Sequence, residues 1–291
     1  MNQFIRNSNR YIELTIESVD RAENWLRTLG INFSNSRFGN AKNILSQISQ
    51  ETIQPDLDDL WALSELYDLV QLCDSFSSTR EIEDAFIKKI TAGTNFLCDE
   101  KKSSARDLFF ETKTASRLKR GGCNILNDRS HDVVFKKDSI IFGVECKRPS
   151  NNSKLISHIE YAFNRQLNKL PNRKEQGIIF IDLGRILYKK FSEHLLNSGN
   201  SLPFSDPELL EQFRNDTDTK YKNLIQTKTP NIAHGVLMIV IHYSFPVVFQ
   251  REQGTACLMF NHYCLMSSSD SPHLESISSG LRDSVGEGIR I

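Results

Sequence analysis

Asp132, Glu145 and Lys147 are the residues of this chain whose types and spacing best suit chemistry. They lie in one stretch, residues 131–148, reading His-Asp-Val-Val-Phe-Lys-Lys-Asp-Ser-Ile-Ile-Phe-Gly-Val-Glu-Cys-Lys-Arg. Residues two apart on a strand share a face, so Glu145 and Lys147 are expected to project together, roughly 7 Å apart, with Val144 and Cys146 toward the core. Two carboxylates and an ammonium at strand ends are costly to bury unpaired. They are expected to pair, to bind a cation or to face a wet cleft. Hard oxygens of this kind hold Mg²⁺, which takes one or two carboxylates plus a substrate phosphate and keeps several waters. Asp132 and Glu145 supply the carboxylates, with the backbone carbonyl of Cys146 as a third protein oxygen. Such a metal acidifies a bound water and draws charge from a phosphate. Lys147 beside it orients that water or offsets phosphate charge. Such a site, with Mg²⁺ or Mn²⁺ bound, would suit phosphodiester hydrolysis, and Glu111 is a further carboxylate that could hold a second metal or a metal-bound water.

The elements that must position these residues can be read around them. Residues 104–119 form a helix with Leu108, Phe109, Ala115 and Leu118 apolar and Glu111 on it, ended by Gly121-Gly122. Strands are expected at 123–126, 131–136 and 139–147. The run Ile140-Ile141-Phe142-Gly143-Val144 is apolar enough for a buried central strand. Residues 154–170 read as a helix closed by Pro171, and 177–183 as a further strand.

Asp132 followed by Glu145-Cys146-Lys147, in this order of helix, strand pair, helix and strand, resembles the PD-(D/E)xK nuclease superfamily. The resemblance covers residues 104–183. It implies a restriction-endonuclease-like α/β fold, a mixed central sheet flanked by helices. It also implies a metal-dependent endonuclease, acting on DNA ahead of RNA, in a setting such as prokaryotic defence, restriction or repair. Asp132, Glu145 and Lys147 take the catalytic positions, and Glu111 matches the acidic residue that many members carry on the preceding helix. The proline that often precedes the aspartate is His131 here. Gln166 and Tyr161 stand in the following helix, where some members place an accessory Gln-x-x-x-Tyr pair, but in the opposite order.

Each residue has a plainer reading. The two acids and the lysine could form a structural ion-pair cluster, and His131 reads as a polar residue at a strand end. Gln166 and Tyr161 read as ordinary helix residues. Arg148 precedes Pro149, which ends strand pairing, and so stands either on phosphate or on a solvated rim. A non-catalytic nucleic-acid-binding or scaffold protein on the same fold is the alternative function.

Charge adds an independent signal. The chain has 36 Lys/Arg and 36 Asp/Glu, but they are unevenly spread. Residues 1–100 hold 9 basic against 16 acidic residues, 101–175 hold 17 against 8, and 176–291 hold 10 against 12. The positive excess falls on the segment with the proposed site, where it would attract a polyanion. Lys113, Arg117, Arg120, Lys136, Arg148, Lys154 and Arg165 are candidates for backbone contact, alongside Lys119, Lys137 and Lys169.

Length and composition set the frame. The chain has 291 residues, 39% hydrophobic and 25% charged, as in ordinary globular proteins. No 18-residue apolar run predicts a membrane span, and the start has no secretory pattern. Six cysteines without a Cys-x-x-Cys pair read as reduced, buried thiols in a cytoplasmic protein. Cys257, His262 and Cys264 read as core packing rather than a zinc cluster.

Residues 1–100 read as an acidic, mostly helical module. A short strand is expected at 11–16, with helices at 20–29, 41–48, 57–73 and 78–90; Ser78 and Glu81 suggest a capping box. The third helix carries Asp56, Asp58, Asp59, Glu65 and Asp68. Such a module either gates the basic face, binds a protein partner or covers an edge of the core. The nuclease-like domain spans 101–266. Helices at 186–196 and 207–224, a loop at 197–206 and strands at 234–243 and 255–266 complete it. Residues 267–291 read as a Ser/Gly-rich mobile tail. A homodimer would suit cutting of both strands of a duplex.

Overall fold

The hairpin beneath Asp132 and Lys147 is closed by two residues in left-handed backbone, Asp138 with φ 49° and Ser139 with φ 69°. Positive φ at both central positions is the type I′ geometry whose twist matches paired strands. It fixes the register of β3 (Val133–Lys137) on β4 (Ile140–Lys147), with Val133 opposite Val144. These features come from a computed structural model that describes residues 10–50, 52–53, 55–78, 84–91, 104–187, 207–251, 254–267, 271–284 and 287–290.

Around the hairpin lies a six-stranded mixed sheet in the order β2-β3-β4-β5-β6-β7. β2 (Asn124–Leu126) runs antiparallel to β3, whereas β5 (Gly177–Asp182) is parallel to β4 and β6 (Met238–Arg251) parallel to β5. β7 (Gly254–Met266) returns antiparallel to β6. A separate parallel pair joins β1 (Arg10–Glu13) to β8 (Glu287–Arg290). The chain is thus mixed α/β.

Helices cover both faces of the sheet. On one face Phe135, Phe142, Val144, Ile178 and Phe180 pack against Phe109, Phe110 and Leu118 of α5 (Ser104–Arg120). The same core takes in α1 (Ile16–Thr28), α2 (Arg37–Ser49), α3 (Leu57–Phe76) and α4 (Asp84–Ile90). On the other face Ile179, Ile181, Ile239 and Ile241 meet Leu155 and Ile159 of α6 (Asn152–Tyr161). Tyr221 and Ile225 of a long helix, Pro207–Lys228, close that side. The helix expected at 154–170 is a single helical run whose pitch changes. α6 passes into a π turn at Ala162–Gln166 and then a 3₁₀ turn at Leu167–Lys169.

The acidic helix α3 is capped by Asp56, whose carboxylate accepts from the Asp59 N–H, and it is buried on most sides. Two of its acids are spent on buried cations. Glu65 accepts from Arg37 Nε at 2.6 Å and Arg106 Nε at 2.9 Å, and Asp68 accepts from Lys113 and lies 3.8 Å from Arg117. These contacts show α3 packed on the core; they do not bear on the other two roles expected of the N-terminal module, gating the basic face and binding a protein partner.

The mobile tail expected at 267–291 is corrected. Pro272–Ser284 is a helix that packs on α5 and buries Ile277 and Leu281. Residues 79–83, which include Glu81, and 188–206 lie outside the described residues, as do Cys98 and the boundary expected at residue 100. The described hydrophobic cluster nonetheless runs from Leu14 to Leu281 across that boundary.

Candidate active site

Asp132 stands just before β3, Glu145 and Lys147 lie at the end of β4, and Glu111 projects from α5. The antiparallel register brings the first three together. Lys147 Nζ lies 3.0 Å from Asp132 Oδ2 and 3.0 Å from Glu145 Oε2, bridging the carboxylates. Asp132 Oδ2 also accepts the Cys146 backbone N–H at 2.8 Å. Glu145 and Lys147 share a face, as strand alternation requires, but β4 is covered on both faces and the Glu145 side chain has 0% exposure. The Asp132 side chain keeps 21%. A cleft of about 50 Å³ opens beside it, lined by Glu111, Ile125, Asn127, Asp128 and Arg129 among others.

His131 fills the space beside Glu145. Its Nδ1 lies 2.9 Å from Glu145 Oε1, and because a carboxylate only accepts, that nitrogen carries the hydrogen. The ring fits because residue 143 is glycine: a Cβ there would stand 2.7 Å from His131 Cδ2. His131 is therefore a buried partner of the catalytic candidate, not merely a strand-end polar residue. The only sequence signal was the glycine itself, two residues before Glu145.

Burial sets the electrostatics. The Glu111 carboxyl is pushed up to about 8 by desolvation, with Asp132 adding repulsion. Asp132 is raised for the same first reason, and Glu145 adds to it. For Lys147 burial pulls down, but Asp132 and Glu145 outweigh it and its pKa is raised. The Cys146 thiol, sealed in the core, is raised well above the usual range by burial.

Hard carboxylate oxygens crowded around one ammonium have the donor chemistry and excess negative charge that suit a divalent ion. As placed, they do not form a cage. Among the described residues no three His, Cys, Asp or Glu side chains are grouped to hold a metal, and Lys147 stands between the two carboxylates.

The expected nucleic-acid contacts separate into two groups. Lys136, Lys154 and Arg165 are exposed and Arg120 is half-buried. Lys113 and Arg117 are buried, paired with Asp68, and Arg117 packs over the Tyr263 ring, so both are corrected to internal charges. Arg148 is also turned inward, with Nε 3.1 Å from Asp182 Oδ2 and Nη1 3.5 Å from Asp107 Oδ1. Tyr161 is exposed at 58%, whereas Gln166, on the π turn, has its Oε1 buried without a hydrogen-bond partner among the described residues.

The sequence reading missed Asp182 and His242. Asp182 ends β5, and burial, which raises it, is outweighed by His242, Arg148 and the Gly184 N–H, so it sits far below the usual carboxylate range. Burial pulls the His242 imidazole down to about 3, leaving it neutral. No protein-family model, curated protein or solved structure matches this chain. The class defined by the geometry is a mixed α/β protein with a six-stranded sheet flanked by helices and a buried carboxylate–lysine cluster at its strand ends.

Proposed function

We propose that this chain is a Mg²⁺-dependent nuclease with a restriction-endonuclease-like fold, cutting phosphodiester bonds of DNA ahead of RNA. The observation that carries this reading is the convergence of Asp132 and Glu145 on Lys147, each carboxylate 3.0 Å from its Nζ, beside an open cleft and the Glu111 carboxyl. The order of α5, the β2-β3-β4 meander, α6 and parallel β5 supports the fold assignment.

Asp132 and Glu145, with the Cys146 carbonyl and Glu111, are the oxygens that would hold the ion. When bound, Mg²⁺ or Mn²⁺ supplies Lewis acidity toward the phosphate and acidifies water. Lys147, whose pKa its two acids raise against burial, would act as an ammonium that offsets phosphate charge and donates to the attacking water. Glu111, which burial raises in the metal-free site, would suit proton transfer to or from that water where it holds the water and not the ion itself. Lys136, Lys154, Arg165 and Arg120 remain the candidates for backbone contact.

One observation favours the non-catalytic alternative. Glu145 is fully buried, with one oxygen on His131 and the other on Lys147. Digestion of duplex, single-stranded and branched DNA and of RNA, with Mg²⁺, Mn²⁺ or EDTA, separates the two. Cleavage that EDTA abolishes supports the nuclease; intact substrates throughout, with binding retained, support a scaffold.

A further inference from the structure

A second cavity, of about 60 Å³, lies where the parallel strands β4, β5 and β6 meet α3 and α5. Open α/β sheets receive ligands outside the carboxyl ends of such strands. Three cations, Arg106, Lys113 and Arg148, and three carboxylates, Glu65, Asp68 and Asp182, line this cavity, with His242 and the hydroxyls of Ser64 and Ser244. His242 is 1% exposed, and its Nε2 lies 3.2 Å from Arg117 Nη1. A guanidinium cannot accept, so Nε2 accepts and the ring hydrogen sits on Nδ1.

That buried N–H has no hydrogen-bond partner among the described residues. Asp182 Oδ1 faces it from 3.7 Å, too long for a hydrogen bond though close enough for the N–H dipole to lower that carboxyl, and it already accepts the Gly184 N–H at 2.8 Å. Lys113 and Arg148 line the same cavity as this donor. Lys113 donates to Asp68 and has three ammonium hydrogens, while Arg148 holds Asp182 through Nε.

We propose that this cavity binds a small oxyanion of the phosphate type, seated among Lys113, Arg148 and the Nδ1–H of His242. Asp182 specifies its protonation state. A carboxylate facing the cavity repels a fully ionised oxyanion but accepts a hydrogen bond from the O–H of hydrogen phosphate. Sulfate carries no such hydrogen at neutral pH. The site is therefore selective for phosphate over sulfate, and this inference does not depend on nuclease activity.

Calorimetric titration of the full chain, without nucleic acid and at constant ionic strength, tests it with inorganic phosphate, sulfate and AMP. Phosphate is expected to bind one site, with sulfate weaker by about tenfold or more, the worth of one charged hydrogen bond. AMP competing with phosphate assigns the phosphoryl group to a nucleotide, and inert AMP assigns it to the free ion. His242→Phe keeps a ring between Phe110 and Tyr263 but removes the donor, and Ser64→Leu fills the cavity and keeps its charges. Each variant that folds by circular dichroism is expected to lose phosphate binding. No phosphate binding to the folded wild-type chain, sulfate binding as tight as phosphate, or folded variants that bind phosphate normally would overturn the proposal.

Discussion

At the scale of the residue, Glu111 makes the site sensitive to pH. Its folded value of about 8 lies above the 4.5 of a free carboxyl, so between these values the folded chain binds the extra proton. Stability from this group is present at low pH and falls as pH rises through that window. Glu111→Gln is expected to flatten the slope: over this range the wild-type Tm falls relative to the variant, by up to a few kcal/mol in free energy. A Tm difference that does not change with pH would contradict this. Gly143 gives a second expectation. A methyl group 2.7 Å from His131 forces the ring off Glu145, so Gly143→Ala should lower stability by about 1–3 kcal/mol in urea titration. The acid–lysine constellation was legible because strand alternation and hairpin register are fixed by local rules. His131 was not, because its place depends on a gap across the hairpin. Asp182 and His242 were not legible either, since they meet only through the pairing of β5 with β6.

At the scale of the element, the hairpin turn carries residues in backbone that favours glycine. Ser139, with φ 69°, is strained by its side chain, and Ser139→Gly is expected to raise the urea midpoint by about 1 kcal/mol in stability. An unchanged midpoint would argue against the type I′ assignment. The strands of the sheet were readable as short apolar runs between turn residues. The pitch change after Tyr161 was not, because a π turn is set by packing and the spacing of apolar residues is close to that of an α-helix. The helix at Pro272–Ser284 was hidden by its Ser and Gly content. Leu274, Ile277 and Leu281, at i, i+3 and i+7, carried the helical signal within it.

At the scale of the whole molecule, the N-terminal helices and the sheet share one core, and Glu65 is a polar tie between them. It joins Arg37 of α2 to Arg106 of α5, both at most 4% exposed. Removing a buried carboxylate that two guanidiniums share takes away an ion pair from each, so Glu65→Ala is expected to destabilise the chain by about 3–5 kcal/mol, measured by chemical denaturation. A loss under about 1 kcal/mol would mean that solvent reaches the pair. The uneven charge of the sequence was legible, but not its use, because several of the basic residues turn inward to meet the acids of α3. The most direct test of the account compares plasmid DNA cleavage in Mg²⁺ by the wild-type chain, Asp132→Ala and Lys147→Ala, with folding checked in parallel. The account predicts cutting by the wild type alone. Equal cutting by either folded variant, or an uncut plasmid with all three, would contradict it.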